Sequence, residues 1–141
     1  MITLAQIEVQ PFAPVANTKK MIQYIRKAKK SWSDCIVFPE MSIPGYLLWD
    51  EWENDCFVHE CVSMNDEIVK ASKGITVIWW NVLVDKTKKW EDGRTRKYNA
   101  VFVAADGKYL SNTIFDGHII KTLMPKYREF DDERYFFLWI N

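Results

Sequence analysis

Apolar residues along the chain form two kinds of pattern, short runs and stripes at helical spacing. The runs at residues 2–9, 35–38 and 75–84 predict strands, and the two later runs have the near-continuous apolar character of strands buried on both faces. Stripes at residues 18–32 and 53–73 repeat apolar side chains three or four positions apart, which predicts two amphipathic helices. The order strand, helix, strand, helix, strand is typical of an α/β sheet.

The second half of the chain has the pattern of antiparallel strands joined by tight turns. Three Asp-Gly pairs, Asp92-Gly93, Asp106-Gly107 and Asp116-Gly117, mark the turns, because glycine readily adopts the positive φ that hairpin turns require. The predicted elements are a polar hairpin loop at 86–95 and strands at 98–105, 109–115 and 118–124, which together complete a meander.

These elements predict one domain over residues 1–141, built as a mixed sheet with two helices on one face. Two helices can cover only one face of the sheet, yet the central strands have the composition of strands that are buried on both faces. We therefore expect another polypeptide on the second face. It can be a second copy of the chain, which makes a homodimer, a different protein, or a further part of the same polypeptide.

Composition and charge exclude several classes of function. The 141 residues carry 19 basic and 19 acidic side chains, so no net charge favours nucleic acid or a membrane surface as a partner. The three cysteines lack metal-ligand or disulfide spacing, which predicts no metal site, no cofactor and a reducing, cytoplasmic location. The 7 Trp, 6 Tyr and 8 Phe are a heavy aromatic load, which predicts that some of them lie at a pocket or an interface.

Two charged residues lie on or directly after apolar stretches that are predicted to be strands. Glu40 follows a buried strand and Pro39, and Lys121 leaves an apolar strand ahead of a segment rich in carboxylates and aromatics. In α/β sheets, ligands bind at the carboxyl ends of strands. Glu40 can equally cap a turn or pair with a surface lysine. Cys61 belongs to the apolar helical stripe and is predicted to be a core thiol, and His59 lies off that stripe and is predicted to be on the surface.

Several motifs together resemble the N-terminal half of a carbon–nitrogen hydrolase domain of the nitrilase superfamily. They are Val37-Phe38-Pro39-Glu40, Gly45-Tyr46, Tyr98-Asn99-Ala100 and the stretch from Lys121 to Phe136. The last stretch is most similar to the glutamine-hydrolysing domain of glutamine-dependent NAD synthetases. The resemblance implies one half of an α-β-β-α sandwich.

The resemblance also implies roles for individual residues. The family hydrolyses amides with a Glu, Lys, Cys triad, in which the carboxylate moves protons and the lysine stabilises the oxyanion. By this resemblance Glu40 is the general base and Lys121 the oxyanion-stabilising cation. Tyr127 and Phe130 are expected beside a glutamine-like substrate. Asp132, or its neighbour Glu133, is expected to orient the lysine.

The family's nucleophilic cysteine follows the lysine, and no cysteine follows Cys61 in this sequence. Two hypotheses result. In the first, the protein is a catalytically incomplete regulatory or inhibitory module with vestigial Glu40 and Lys121. It binds another protein, or a second copy of itself, through the uncovered sheet face. In the second, it is an amidase or glutamine amidohydrolase, either as a fragment of a longer enzyme or complemented by another chain that supplies the cysteine. The first predicts that Val101→Asp abolishes binding, and the second that changing Glu40 or Lys121 eliminates ammonia release.

Overall fold

The computed structural model describes residues 1–111 and 116–137, in which one mixed sheet is the central feature. Its order is β1-β2-β3-β4, with β5 and β6 both hydrogen-bonded to the free side of β4. β1, β2 and β3 are parallel, whereas β4 runs antiparallel to its neighbours. The strands are β1 (Ile2–Leu4), β2 (Cys35–Val37), β3 (Thr76–Lys89), β4 (Thr95–Ala105), β5 (Lys108–Tyr109) and β6 (His118–Ile120). A separate small hairpin pairs β7 (Lys126–Tyr127) with β8 (Phe130–Asp131).

Two helices of equal length cover one face of the sheet, as the sequence predicts. They are α1 (Pro14–Lys30) and α2 (Asp55–Ala71), and a short 3₁₀ helix, Trp49–Glu53, precedes α2. On the sheet, Ile36, Val77 and Trp79 point to the helices and are completely buried. The Trp79 indole N–H donates to Asn65 Oδ1 of α2 at 2.8 Å, so the contact between helix and sheet is polar as well as apolar.

The opposite face of the sheet is apolar and only partly covered by the described residues. Side chains alternate between the two faces along a strand, and residues paired across neighbouring strands point to the same face. The pairings β1–β2, β2–β3, β3–β4 and β4–β6 therefore identify the side chains on this face. Leu4 and Ile119 are 77% and 57% exposed, and their neighbours toward the sheet centre are half-buried. We call this surface the open sheet face; it consists of Ile2, Leu4, Val37, Ile78, Trp80, Val101, Val103 and Ile119.

The predicted meander is wrong in its pairing. β6 does not pair with the strand before it but returns to β4, where Val101 is opposite Ile119. The predicted strand at 109–115 is present only as its first residue, Tyr109 in β5, and residues 112–115 lie outside the described part. β6 also ends at Ile120, earlier than the predicted 124, because the chain leaves the sheet there. The apolar pattern indicated strands but carried no information about which strand pairs with which.

Half of the polar loop predicted at 86–95 is instead strand. β3 continues to Lys89 and β4 begins at Thr95, with an irregularity in register between Asp85 and Lys89. Backbone pairing of exposed polar residues extends the hairpin without an apolar pattern, and a salt bridge from Arg94 to Glu53 (2.6 Å) ties it to the 3₁₀ helix. Helix starts also differ from the prediction, since Pro14 opens α1 and the Asn54 side chain caps α2.

Candidate active site

Glu40 is positioned by a sharp change of direction after β2. The Phe38 N–H still donates to the Ile78 carbonyl at 2.9 Å, after which Pro39 has no N–H to continue the ladder. Met41, directly after Glu40, is buried and left-handed with a φ of 51°. A non-glycine residue in this conformation costs about 1–2 kcal/mol. The backbone strain therefore lies next to the carboxylate, as is common at functional sites.

Lys121 enters the same site from β6, on the far side of the sheet. Its backbone N–H donates to the Asn99 carbonyl at 2.8 Å, which extends the β4–β6 pairing by one residue. Its ammonium donates to Glu40 Oε1 at 2.7 Å and to the Tyr46 hydroxyl at 3.2 Å. The side chain of Lys121 is 18% exposed, so this ion pair is partly shielded from water.

Asp132, and not Glu133, is the second carboxylate beside the lysine. Asp132 Oδ2 lies 3.5 Å from the Lys121 ammonium and accepts a hydrogen bond from the Tyr46 hydroxyl at 2.9 Å. Glu133 pairs with the exposed Lys126 at 3.1 Å and faces away. Burial raises the pKa of Asp132, although the Tyr46 hydrogen bond and the Lys121 charge act in the opposite direction. Burial, and then the bond to Asp132, raise the pKa of Tyr46 well above its ordinary value.

A pocket of about 670 Å³ opens over Glu40 and Lys121. Phe130 packs edge-on against Tyr46 and tilted against Tyr127, with both pairs of ring centroids 5.4 Å apart. The structure thus brings together all five predicted site residues, with the aromatic pair on the pocket wall and Asp132 behind the lysine. The pocket is lined by Glu40, Tyr46, Leu47, Lys121, Leu123, Met124, Pro125, Tyr127 and Phe130.

The sequence analysis named Asn99 and Tyr46 only as members of motifs, and in the structure both complete the charged network. Asn99 is wholly buried in β4 and donates from Nδ2 to Glu40 Oε1 at 2.7 Å. A polar residue within an apolar strand was the available signal for Asn99. Tyr46 owes its position to Gly45, which has a φ of 90°. A β-carbon on Gly45 would lie 2.7 Å from the Pro11 Cα, so only glycine fits this close approach.

None of the three cysteines lines this pocket. Cys35 is half-buried in β2, Cys56 is exposed at the start of α2, and Cys61 is buried against the sheet. Burial raises the pKa of the Cys61 thiol to about 12, which makes it a poor nucleophile and agrees with its predicted core position. Within residues 1–111 and 116–137, no cluster of His, Cys, Asp and Glu side chains could hold a metal ion. Over the same ranges, no helix is long and apolar enough to cross a bilayer.

The fold and this charged pair place the chain in a known class of hydrolase. Residues 1–134 match the carbon–nitrogen hydrolase family, and the chain belongs to it. Within that family, the chain is 32% identical over 135 residues to the glutamine-dependent NAD(+) synthetase of Thermotoga maritima, covering 96% of this chain and 21% of the relative. It is 28% identical over 137 residues to that of Xanthomonas campestris pv. campestris, covering 96% and 22%. The resemblance described from the motifs is therefore confirmed.

Solved structures give the same result. A glutamine-dependent NAD+ synthetase from Acinetobacter baumannii superimposes with a TM-score of 0.79 at 28% identity, covering 99% of this chain and 24% of that chain. An amidase from Nesterenkonia sp. superimposes with a TM-score of 0.76 at 15% identity, covering 99% and 48%, which shows the fold alone. The chain thus spans about a fifth of the NAD synthetases and about half of the amidase.

Proposed function

We propose that the chain forms the base-and-cation half of an amide-hydrolysing active site of the glutaminase type. The observation that carries the proposal is the contact between Lys121 Nζ and Glu40 Oε1, at 2.7 Å on the floor of an open pocket. Keeping two carboxylates and a lysine this close costs desolvation, which a merely structural role would avoid with apolar side chains. The intact network supports a working site over vestigial residues.

The arrangement suits the two steps of amide hydrolysis. Glu40 takes the proton of an incoming thiol, the thiolate adds to the amide carbonyl, and the C–N bond breaks as the same proton passes to the departing ammonia. Water then cleaves the thioester with Glu40 again as base, releasing the acid and the thiol. The Lys121 ammonium donates to Glu40 and Tyr46 and lies 3.5 Å from Asp132, so in both steps the oxyanion takes the place of one of these partners.

The thiol in this scheme comes from polypeptide outside the described residues. The chain's own cysteines lie in β2 and α2, away from the pocket lining. Asn99 lies two residues before Val101 on β4, so their side chains share a face and the charged network lies at one end of the open sheet face. A polypeptide layer packed on that face would reach the pocket, and we propose that it carries the nucleophile. The free cysteines also support a reducing, cytoplasmic location.

Ammonia release from glutamine tests the proposal. The chain is purified from its own cells with the polypeptide that accompanies it, and the product is measured beside the chain alone. We expect hydrolysis only by the assembled protein, and a fall of about 10²–10⁴-fold in kcat for Glu40→Gln and about 10²–10³-fold for Lys121→Ala. Iodoacetamide should inactivate the assembly by labelling a cysteine of the accompanying polypeptide. Hydrolysis by the chain alone, or inactivation through Cys35, Cys56 or Cys61, would contradict the proposal.

A second candidate is a regulatory or inhibitory module that binds a protein through the open sheet face, either a different protein or a second copy. The exposed Leu4 and Ile119 favour it, because contiguous apolar surface of this kind marks interaction sites. Light scattering on wild type, Val101→Asp and the control Val15→Asp, which charges α1 instead, distinguishes the cases. Loss of the complex only in Val101→Asp, together with no ammonia release by the intact complex, would favour this module over the hydrolase.

A further inference from the structure

Two buried asparagines lie in neighbouring strands, and their surroundings differ in kind. Asn81 of β3 faces the helices and donates from Nδ2 to the Cys61 carbonyl (2.7 Å) and Asn65 Oδ1 (2.9 Å), while its own Oδ1 accepts from the Val82 N–H. Every polar atom of that side chain has a partner, which is what a structural asparagine needs. Asn81 therefore serves the fold.

Asn99 of β4 is equally buried but is not satisfied in this way. Its Nδ2 donates to Glu40 Oε1 at 2.7 Å, while its Oδ1 is buried and has no hydrogen-bond partner among the described residues. A carboxylate can only accept hydrogen bonds, so the amide must turn its nitrogen to Glu40 and leave the oxygen without a bond. A buried acceptor left unpaired lowers stability. An apolar residue would serve the fold better at this position, so the asparagine needs another explanation.

The hydrogen bonds of Asn99 explain why an asparagine occupies this position. Its side chain holds Glu40, and its backbone carbonyl accepts from the Lys121 N–H at 2.8 Å, so one residue sets the positions of both members of the charged pair. The Asn99 amide and the Lys121 ammonium both donate to the same atom, Oε1 of Glu40. An oxygen that accepts two short hydrogen bonds is a weaker base than its twin, so Oε2 becomes the proton-accepting atom.

We infer that Asn99 is a positioning residue that fixes the Glu40 carboxylate and selects Oε2 as the atom that moves the proton. This inference rests on the proposed hydrolase function. Removing the Asn99 amide should impair proton transfer without impairing stability or substrate binding. The loss of a purely structural residue would lower stability as well.

The first experiment compares Asn99→Leu with the matched control Asn81→Leu by urea unfolding. We expect the unfolding midpoint of Asn99→Leu to equal or exceed that of wild type, because the unpaired oxygen disappears. The midpoint of Asn81→Leu should fall, because the variant removes all three hydrogen bonds that the Asn81 side chain makes in a buried site. Equal falls in both variants would assign Asn99 a structural role and overturn the inference.

The second experiment follows the Asn99 side-chain amide by ¹⁵N NMR in the chain itself, which needs no activity. We expect the Nδ2 proton bonded to Glu40 to move upfield in Glu40→Gln, since a neutral acceptor makes a weaker hydrogen bond. An unchanged resonance would overturn the inference even if the protein hydrolyses glutamine.

The third experiment measures kinetics of the assembled protein. Asn99→Leu should lower kcat by about 10²-fold, as a misplaced catalytic group does, with KM changed less than about twofold. An unchanged kcat would overturn the inference. If wild type releases no ammonia while the amide resonance responds to Glu40→Gln, the hydrolase proposal fails and the positioning of Glu40 by Asn99 is still supported.

Discussion

Gly45 offers a direct test of how the loop after Glu40 is held. A β-carbon at this position would lie 2.7 Å from the Pro11 Cα, a backbone atom that cannot rotate away. Reaching ordinary contact at 3.4 Å would require a shift of about 0.7 Å. The φ of 90° adds a cost of about 1–2 kcal/mol for any L side chain. With about 1–3 kcal/mol for overpacking, we expect Gly45→Ala to lose about 2–5 kcal/mol.

Gly93 supplies a matched control for this substitution. It has nearly the same conformation, with a φ of 88°, but nothing lies within 4 Å of its would-be β-carbon. Gly93→Ala should therefore cost only the conformational part, about 1–2 kcal/mol. Urea unfolding followed by tryptophan fluorescence gives both free energies. Losses that agree within about 0.5 kcal/mol would refute the steric reasoning, since the two sites differ chiefly in the contact with Pro11.

Three further predictions concern charge and capping. Lys121→Met should lower the free energy of unfolding by about 1–3 kcal/mol, because it leaves two carboxylates without their cation. Adding Glu40→Gln should recover part of that loss, and no recovery in the double variant would contradict the pairing. Burial raises the pKa of Asp132, so the folded state binds its proton more tightly than the unfolded state. This group's contribution to stability is therefore full below about pH 3.8 and is lost as pH rises through the raised pKa. Urea unfolding across that window should show the decline in wild type and not in Asp132→Asn; an identical decline in both would exclude the group. The Asn54 side chain caps α2 by accepting hydrogen bonds from two backbone N–H groups at 3.1 and 3.3 Å. Asn54→Ala should therefore lower the free energy of unfolding by about 1 kcal/mol, whereas Asn54→Asp should retain most of that stability. Equal losses in both variants would show that the cap is not responsible.

The helices and the central strands were predictable because each buries a regular apolar pattern. In α1 the first three residues of the predicted stripe, Met21, Ile25 and Ala28, are buried, whereas its last, Trp32, lies beyond the end of the helix and is 88% exposed. The hairpin beyond Asp85 was not predictable in the same way, since its residues are polar and largely exposed. Its strands are held by backbone hydrogen bonds and by contacts to distant residues, such as Arg94 with Glu53, that no local pattern carries.

Within the site, the residues with a local sequence signal were likewise predictable, and those that depend on pairing or turn geometry were not. Glu40 and Lys121 were found because each follows an apolar strand, and a resemblance linked them across 81 positions. The contribution of Asn99 depends on register, since its carbonyl must lie opposite the first residue beyond β6. The contribution of Tyr46 depends on the turn at Gly45 and on the distant Asp132. Such partners are set by pairing and turn geometry, which composition and periodicity do not encode.

The same geometry explains why the site should gain strength when the open sheet face is covered. At present the Glu40 side chain is 33% exposed, and water screens its attraction to Lys121. On the proposed mechanism, polypeptide packed on that face brings the thiol and also removes water, which strengthens every charge interaction in the pocket. Assembly would then switch on the base and the oxyanion cation in the same step that delivers the nucleophile.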